Sequence, residues 1–285
     1  ESVEAEFQAQ LARFPESYKQ SLLALHSKYP NWLFIAHDLD LDWNNVVSGQ
    51  DVGTVSLIYK NLPREFYKNI KTDAPLDATF EQFINETPRD GTSFYTASRA
   101  AVEYYLDPRN FLNESRIFQF EQLTYNAAMH TLSGIQRIFA NSGHTGKENM
   151  FLTAGQESNV SPYHLASRSR LELGNPLSIL AQGGTYTING NVYSGLYNFY
   201  NIGTGSGTPE QILERGFKYA RGDFSTEATK TFLGMPWNTE QKAITGGAKF
   251  LGNNYINRGQ DTLYYQKFNP NAPGSHQYMQ NVQAP

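Results

Sequence analysis

The segment from Ser161 to Ser194 contains a helix with marked ends followed by a β-hairpin, and this order restricts the possible folds more than any other feature. Ser161 is a good helix cap, Pro162 suits the first helical turn, and Gly174 suits the residue that ends a helix. Two alternating runs then flank Asn189-Gly190, which is the strongest short-range hairpin signal. The chain is therefore predicted to combine helices with a small antiparallel sheet.

The rest of the chain is predominantly of helical character. Residues 1–25 carry apolar side chains at helical spacing, and Pro15 divides them into two short helices. Residues 96–105 predict a helix that ends at Asp107-Pro108, and residues 116–140 predict at least one long helix. Only residues 32–35 read as a further strand.

A loose boundary is expected near Asp90, in a stretch rich in Pro, Asp and Gly. We predict an α+β protein, mainly helical, with an N-terminal helical and strand-containing lobe over residues 1–90. This lobe is expected to pack on a catalytic domain over residues 91–285.

Composition excludes several classes of function. With 23 basic and 27 acidic residues the net charge is -4, which gives no cationic surface for nucleic acid. The chain has no cysteine, and its six histidines include no pair at the spacing of a zinc helix, so we expect no metal. The glycines of residues 203–208 lack the Lys-Ser/Thr of a phosphate loop, and no Gly-x-Ser-x-Gly is present. We expect no cofactor.

Glu172 is the candidate general acid. It follows Leu165 by seven residues, so it shares a helix face with it, and it lies near a helix C-terminus, where the dipole disfavours an anion. Both effects would raise its pKa, as an acid catalyst requires. Arg168, four residues earlier, could instead form an ordinary surface ion pair with it.

The segment after Glu172 carries no charge. Between Leu173 and Pro209 there is no Asp, Glu, Lys or Arg, whereas tyrosines alternate with Asn and Gly. Such a surface could hold sugar rings by stacking and N-acetyl groups by hydrogen bonds, but it could equally serve hairpin packing and turns.

Several motifs closely resemble the secreted glucosaminidases of Gram-positive bacteria, in glycoside hydrolase family 73. The resemblance covers nearly the whole chain and rests on residues 14–18, 105–112, 117–121, 161–168, 197–203, 246–257 and 276–279. It implies a lysozyme-like domain with a β-hairpin lobe, and an endo-acting autolysin that cleaves the β-1,4 bond after N-acetylglucosamine. The catalytic Glu of the family falls on Glu172, although Leu171 stands where the family implies Gln.

Substrate-binding residues are predicted as well, Tyr200 and Asn201 mostly from the resemblance and Tyr186 and Tyr197 from the uncharged aromatic segment. Those expected in the cleft between the Glu172 helix and the hairpin are Tyr186, Tyr197, Tyr200 and Asn201, with Tyr200 able to stabilise the charged centre. Glu121 is a second choice, since a Glu in that aromatic segment could also be buried and satisfied by a neighbouring loop.

The hairpin region offers no second carboxylate to act as nucleophile, so two routes stay open. The 2-acetamido group of the substrate could assist, or water could attack with a remote carboxylate or no dedicated base. Asp223 is a remote candidate for that base, with a solvated surface position as the alternative.

Two other functions remain open: a lytic transglycosylase or muramidase on the same fold, and a non-catalytic module that binds cell-wall glycan. The expected partner is the peptidoglycan glycan strand, at the surface or in the wall of a Gram-positive bacterium. The chain starts at Glu1 without Met, and we expect a signal, membrane anchor or wall anchor to lie outside it.

Overall fold

The computed structural model describes residues 2–285, and its secondary structure is mainly helical. The helices are α1 (Val3–Leu11), α2 (Glu16–Lys28), α3 (Trp43–Gln50), α4 (Phe80–Phe83), α5 (Arg99–Leu106), α6 (Leu132–Phe139), α7 (Glu148–Ser158), α8 (Pro162–Leu173), α9 (Pro209–Arg221), α10 (Glu227–Leu233), α11 (Glu240–Asn254) and α12 (Leu263–Phe268). Short 3-10 helices lie at Arg64–Phe66, Pro108–Phe111, Ile117–Phe120, Ile179–Ala181 and Ile256–Arg258. None of the helices in residues 2–285 is both long and apolar enough to span a bilayer.

Two antiparallel strand pairs complete the described secondary structure. The first joins β1 (Leu57–Tyr59) to β2 (Phe94–Thr96), and the second joins β3 (Thr185–Ile188) to β4 (Asn191–Ser194). The predicted α+β class, mainly helical, is confirmed.

The chain forms two compact units. One comprises residues 1–121 and 262–285, and the other comprises residues 122–261. In the first unit Ile58, Val102 and Phe268 are among the residues of a continuous buried core, and the C-terminal segment is tied in where the Tyr264 hydroxyl donates to the Leu106 carbonyl. A smaller apolar cluster around Phe7 joins α1 to α2.

The second unit has its own buried core. Phe139, Phe151, Leu165, Phe199 and Phe217 each expose no surface. They come from α6, α7, α8, the segment before Asn201, and α9, so burial of apolar area holds together all the elements near Glu172.

The observed division differs from the sequence-based one at residue 90. The strand β2 and the helix α5 lie beyond that position but contribute Tyr95 and Val102 to the core of the first unit. The chain also returns to this unit after Asp261. Polar turn residues near Asp90 mark a loop within the unit, because β1 and β2 pair across it.

Residues 32–35 do not form the predicted strand. The Phe34 ring packs on α1, 6.1 Å from the Phe7 ring, and the Ala36 amide donates to the Gln10 side chain, whereas the Trp32 ring stacks on Tyr29 at 4.1 Å. Side-chain packing thus holds the segment in place, and it belongs to neither of the strand pairs described in residues 2–285.

The long helix predicted over residues 116–140 is also wrong. The structure has a 3-10 turn at Ile117–Phe120, irregular chain, and then α6, which Thr131 caps. The interruption has a local cause, since the side chains of Asn126 and His130 accept backbone amide hydrogen bonds that a continuous helix would use internally.

Candidate active site

Glu172 lies in the last turn of α8, and the helix ends where the sequence predicts. The Ser161 hydroxyl accepts from the His164 amide at 3.3 Å, Pro162 occupies the first turn, and Gly174 follows the helix with φ +68°. The Glu172 side chain is half-buried.

Asn201 holds Glu172 at two points. Its side-chain amide nitrogen donates to the backbone carbonyl of Glu172 at 2.8 Å and to the carboxylate oxygen Oε2 at 3.2 Å. The first bond satisfies a carbonyl of the last helical turn, and the second restricts the rotation of the carboxylate. Asn201 adopts φ +50°, a left-handed conformation that Asn tolerates better than most residues. The structure therefore brings these two predicted residues together.

The turn that presents Asn201 is built by Asn198, which the sequence analysis missed. Asn198 is fully buried, and its side-chain amide donates to the carbonyls of Ile202 and Gly216 at 2.9 and 3.2 Å. Its side-chain oxygen accepts from the Ile202 amide at 3.1 Å. The only available signal was an Asn close to a second Asn, which is typical of many turns.

A buried pair behind the helix fixes the same turn to α8. The Ser169 hydroxyl donates to the Phe199 carbonyl at 2.8 Å, and His144 Nε2 lies 2.9 Å from that hydroxyl. Because the hydroxyl proton is engaged, His144 Nε2 is the donor in the second bond. Burial, followed by the charges of Lys147 and Arg170, lowers the pKa of His144 to about 4, so the ring is neutral near pH 7.

Tyr200 does not line an open cleft, and this part of the prediction is corrected. Its side chain is 1% exposed, its hydroxyl donates to the Ile244 carbonyl at 3.1 Å, and its ring fills the space above Gly247. Burial raises its pKa well above the usual tyrosine value. A large aromatic ring with a satisfied hydroxyl is more stable in the core than at a surface, so Tyr200 anchors the backbone next to Asn201.

The hairpin turns at Asn189 and Gly190, as predicted, with φ +50° and +79°. Tyr186 and Tyr193 lie opposite each other, and their rings stack on Phe217 of α9 at 5.7 and 5.4 Å. Tyr193 is buried, whereas Tyr186 is only partly buried and donates its hydroxyl to Gln182. These contacts with α9 thus cover much of the aromatic surface that the sequence predicted to bind sugar.

The other predicted residues lie in separate surroundings. Tyr197 is half-buried, with its ring over Gly183. Glu121 belongs to the first unit and is exposed, not buried. Asp223 pairs with Arg221 at 2.5 Å, and this bond lowers its pKa. Such a pairing keeps Asp223 ionised but occupies its oxygens.

Glu214 of α9 is a carboxylate that the sequence analysis did not single out. It accepts from the side chains of Asn189 and Asn191 at 2.9 and 3.0 Å, from the Tyr193 hydroxyl at 3.0 Å, and from Lys218 at 3.1 Å. It lies beyond the uncharged segment in sequence, and only the fold brings it to the hairpin.

No group of three or more His, Asp or Glu side chains within residues 2–285 is arranged to hold a metal ion.

No family model matches the chain. It is 33% identical over 204 residues to "Beta-N-acetylglucosaminidase" of Bacillus subtilis, an alignment that covers 70% of this chain and 21% of the relative. It is 36% identical over 132 residues to "Bifunctional autolysin" of Staphylococcus aureus, covering 46% of this chain and 10% of the relative. The chain thus spans about a fifth or less of the length of these relatives.

A solved structure shares the fold. The S. aureus glucosaminidase B structure matches with a TM-score of 0.58 and 23% identity, covering 84% of this chain and 78% of that one. The two sequence similarities confirm the relationship to the glucosaminidases that the sequence motifs indicated, and the solved structure shows the shared fold.

Proposed function

We propose that this chain, a relative of the Gram-positive glucosaminidases, is a peptidoglycan hydrolase that cleaves the β-1,4 bond after N-acetylglucosamine with Glu172 as general acid. The observation that carries the proposal is the half-buried carboxylate at the end of α8, held by Asn201 in a relative of enzymes named for this activity. Its site of action would be the bacterial cell wall, as the name autolysin implies for the S. aureus relative.

The geometry supports a defined role for each carboxylate oxygen. Asn201 donates to Oε2, so Oε1 is the oxygen that can carry the proton. Glu172 would give this proton to the glycosidic oxygen as the bond from that oxygen to the anomeric carbon breaks. Water then adds to the anomeric carbon. If the 2-acetamido group has assisted, water attacks from the face of the departed group and its proton returns to Glu172; if water attacks directly from the opposite face, its proton passes to a remote carboxylate or to solvent, and Glu172 is reprotonated from solvent.

No hairpin residue supplies a carboxylate to attack the sugar, since residues 185–194 contain neither Asp nor Glu. This supports either assistance by the 2-acetamido group of the substrate or direct attack by water. The half-exposed rings of Tyr186 and Tyr197 are the aromatic surfaces that we assign to the glycan strand.

Mass spectrometry of digested peptidoglycan tests this function. Purified walls would be treated with wild type, Glu172→Gln or Glu157→Gln and then reduced with borohydride. Glu157 is an exposed carboxylate on α7, so its variant controls for loss of one charge. We expect reduced N-acetylglucosamine ends from wild type and Glu157→Gln, and none from Glu172→Gln.

The other products would identify the competing functions. Anhydro-muramic ends would indicate a lytic transglycosylase, and reduced muramic ends a muramidase. Wall binding without any product that depends on Glu172 would indicate a glycan-binding module.

A further inference from the structure

Glu214 is the most heavily hydrogen-bonded carboxylate described near the hairpin. Its side chain is 14% exposed, and it receives hydrogen bonds from Asn189, Asn191, Tyr193 and Lys218. Asn189 lies in the turn, Asn191 begins β4 and Tyr193 lies within β4. One carboxylate on α9 therefore holds the turn and one strand of the hairpin together.

These bonds favour the ionised form of Glu214. Asn191, Tyr193 and Lys218 meet its Oε1, and Asn189 meets its Oε2. The hydrogen bonds from Asn189, Lys218 and Tyr193 lower its pKa to about 2. So low a pKa keeps Glu214 ionised near neutral pH and makes it a weak proton acceptor.

The hairpin position that Glu214 fixes is also the position of Tyr186. Tyr186 pairs with Tyr193 across the strands, and both rings rest on Phe217. Because the hydroxyl of Tyr193 is bonded to Glu214, a shift of the hairpin on α9 would move the half-exposed ring of Tyr186.

Arg215, the next residue on α9, holds the loop of residues 204–206 in place. Arg215 donates from Nε to the Thr204 carbonyl at 2.5 Å and from Nη2 to the Ser206 carbonyl at 2.6 Å. This loop directly follows Asn201, and Thr204 donates its hydroxyl back to the Asn201 carbonyl at 2.9 Å. Adjacent residues of one helix thus hold the hairpin and the loop that carries the partner of Glu172.

We propose that Glu214 is a positioning residue, which fastens the hairpin to α9 and so sets the aromatic surface that binds the glycan strand. This inference rests on the proposed function. Glu214 itself touches neither the reacting bond nor the attacking water. Its contribution is to substrate binding, through Tyr186, and not to the chemical step.

Steady-state kinetics on soluble glycan strands separate binding from chemistry. In Glu214→Gln one acceptor oxygen becomes an amide donor that faces other donors, and the hairpin loses its attachment. We expect KM to rise about tenfold while kcat stays within about threefold of wild type. Glu210→Gln removes an exposed charge one turn earlier on the same helix and is expected to leave both constants unchanged.

Hydrogen exchange supplies a second readout, measured well below the melting temperature of each variant. Amides of residues 185–194 are expected to exchange faster in Glu214→Gln, with those of α8 unchanged. Tyr193→Phe removes a single donor and keeps the ring, so a rise in KM of about two- to threefold is expected. If Glu214→Gln does not fold, this milder variant is used for the same measurements.

The outcomes distinguish this inference from the proposed function. If wild type releases no product, the function fails, whatever the hairpin does. If wild type is active and Glu214→Gln keeps its KM and its hairpin exchange, the positioning role is overturned. A large loss of kcat with an unchanged hairpin would also overturn it, because Glu214 would then act in the chemistry.

Discussion

The carboxylates of Glu172 and Glu214 lie in the same unit but in opposite chemical situations. Glu172 accepts a side-chain hydrogen bond from Asn201 and is half-buried at the end of a helix. Glu214 accepts from Asn189, Asn191, Tyr193 and Lys218 and has a pKa of about 2. A carboxylate held ionised by such donors stabilises structure, whereas a general acid must be able to carry a proton.

The largest expected effect is at Glu172. Replacement by Gln keeps an oxygen to accept from Asn201 but removes the transferable proton, so turnover should fall by about 100-fold or more. Initial rates on purified peptidoglycan measure this, with Glu157→Gln alongside. If turnover fell by less than about fivefold, Glu172 would not be the general acid, and the different roles assigned to Glu172 and Glu214 would be contradicted.

The two regions should also respond differently to acid. His144, behind the turn that carries Asn201, has a folded-state pKa near 4 against 6.5 for the free group, so the unfolded chain binds its proton first. Stability should therefore fall as pH drops from about 6.5 towards 4, by up to about 3 kcal/mol from this residue. The Glu214 contribution is fully present above the ordinary pKa of 4.5 and is lost progressively as the pH falls from there towards 2.

Urea unfolding between pH 7 and 4.5 checks this dependence. His144→Gln can still donate to Ser169 but cannot titrate, so its stability should change less with pH than that of wild type. Hydrogen-exchange protection factors should decrease at residues 198–201 at low pH before they decrease in the hairpin. Equal slopes for wild type and variant would show that His144 is not the group responsible.

Ser169→Ala tests the support behind Glu172 without a change of charge. The variant leaves the His144 donor and the Phe199 carbonyl without their buried partner. Such a loss typically costs about 1–3 kcal/mol of unfolding free energy, which chemical denaturation measures. Ser167→Ala, at an exposed position on the same helix, is the matched control and should be nearly neutral. Similar stability of the two variants would contradict the assigned network.

The smallest expected effect is at Asn201. Asn201→Gly removes both bonds to Glu172 yet tolerates the positive φ, so the backbone should be kept. We expect kcat to fall about tenfold, since Glu172 remains but is less restricted. Asn141→Gly, an exposed residue that also has positive φ, is the control. An unchanged kcat would limit Asn201 to a structural role.

Local signals in the sequence were sufficient for α8, the hairpin turn and the position of Glu172. Ser161, Pro162, Gly174 and Asn189-Gly190 act through their own backbone preferences, which do not depend on the rest of the fold. The prediction of an aromatic, sugar-binding surface was less accurate, because the sequence does not distinguish a tyrosine that binds sugar from one that packs on Phe217.

Other features depend on contacts between distant segments and could not be predicted. The bond from Ser169 to Phe199 spans 30 residues, and Glu214 meets Asn189 across 25. The first unit is completed by residues 262–285, which no boundary signal near residue 90 could indicate. Such pairings follow from how the core is packed, not from any local pattern.

The most direct test of the central claim measures wall binding and saturating turnover together in Glu172→Gln and Glu214→Gln. The two variants are expected to show opposite effects on binding and turnover. Glu172→Gln should bind insoluble peptidoglycan like wild type but show about 1% of its turnover or less. Glu214→Gln should bind several-fold more weakly and keep most of its turnover. If Glu214→Gln instead loses turnover while Glu172→Gln keeps it, the assignment of the two carboxylates is contradicted.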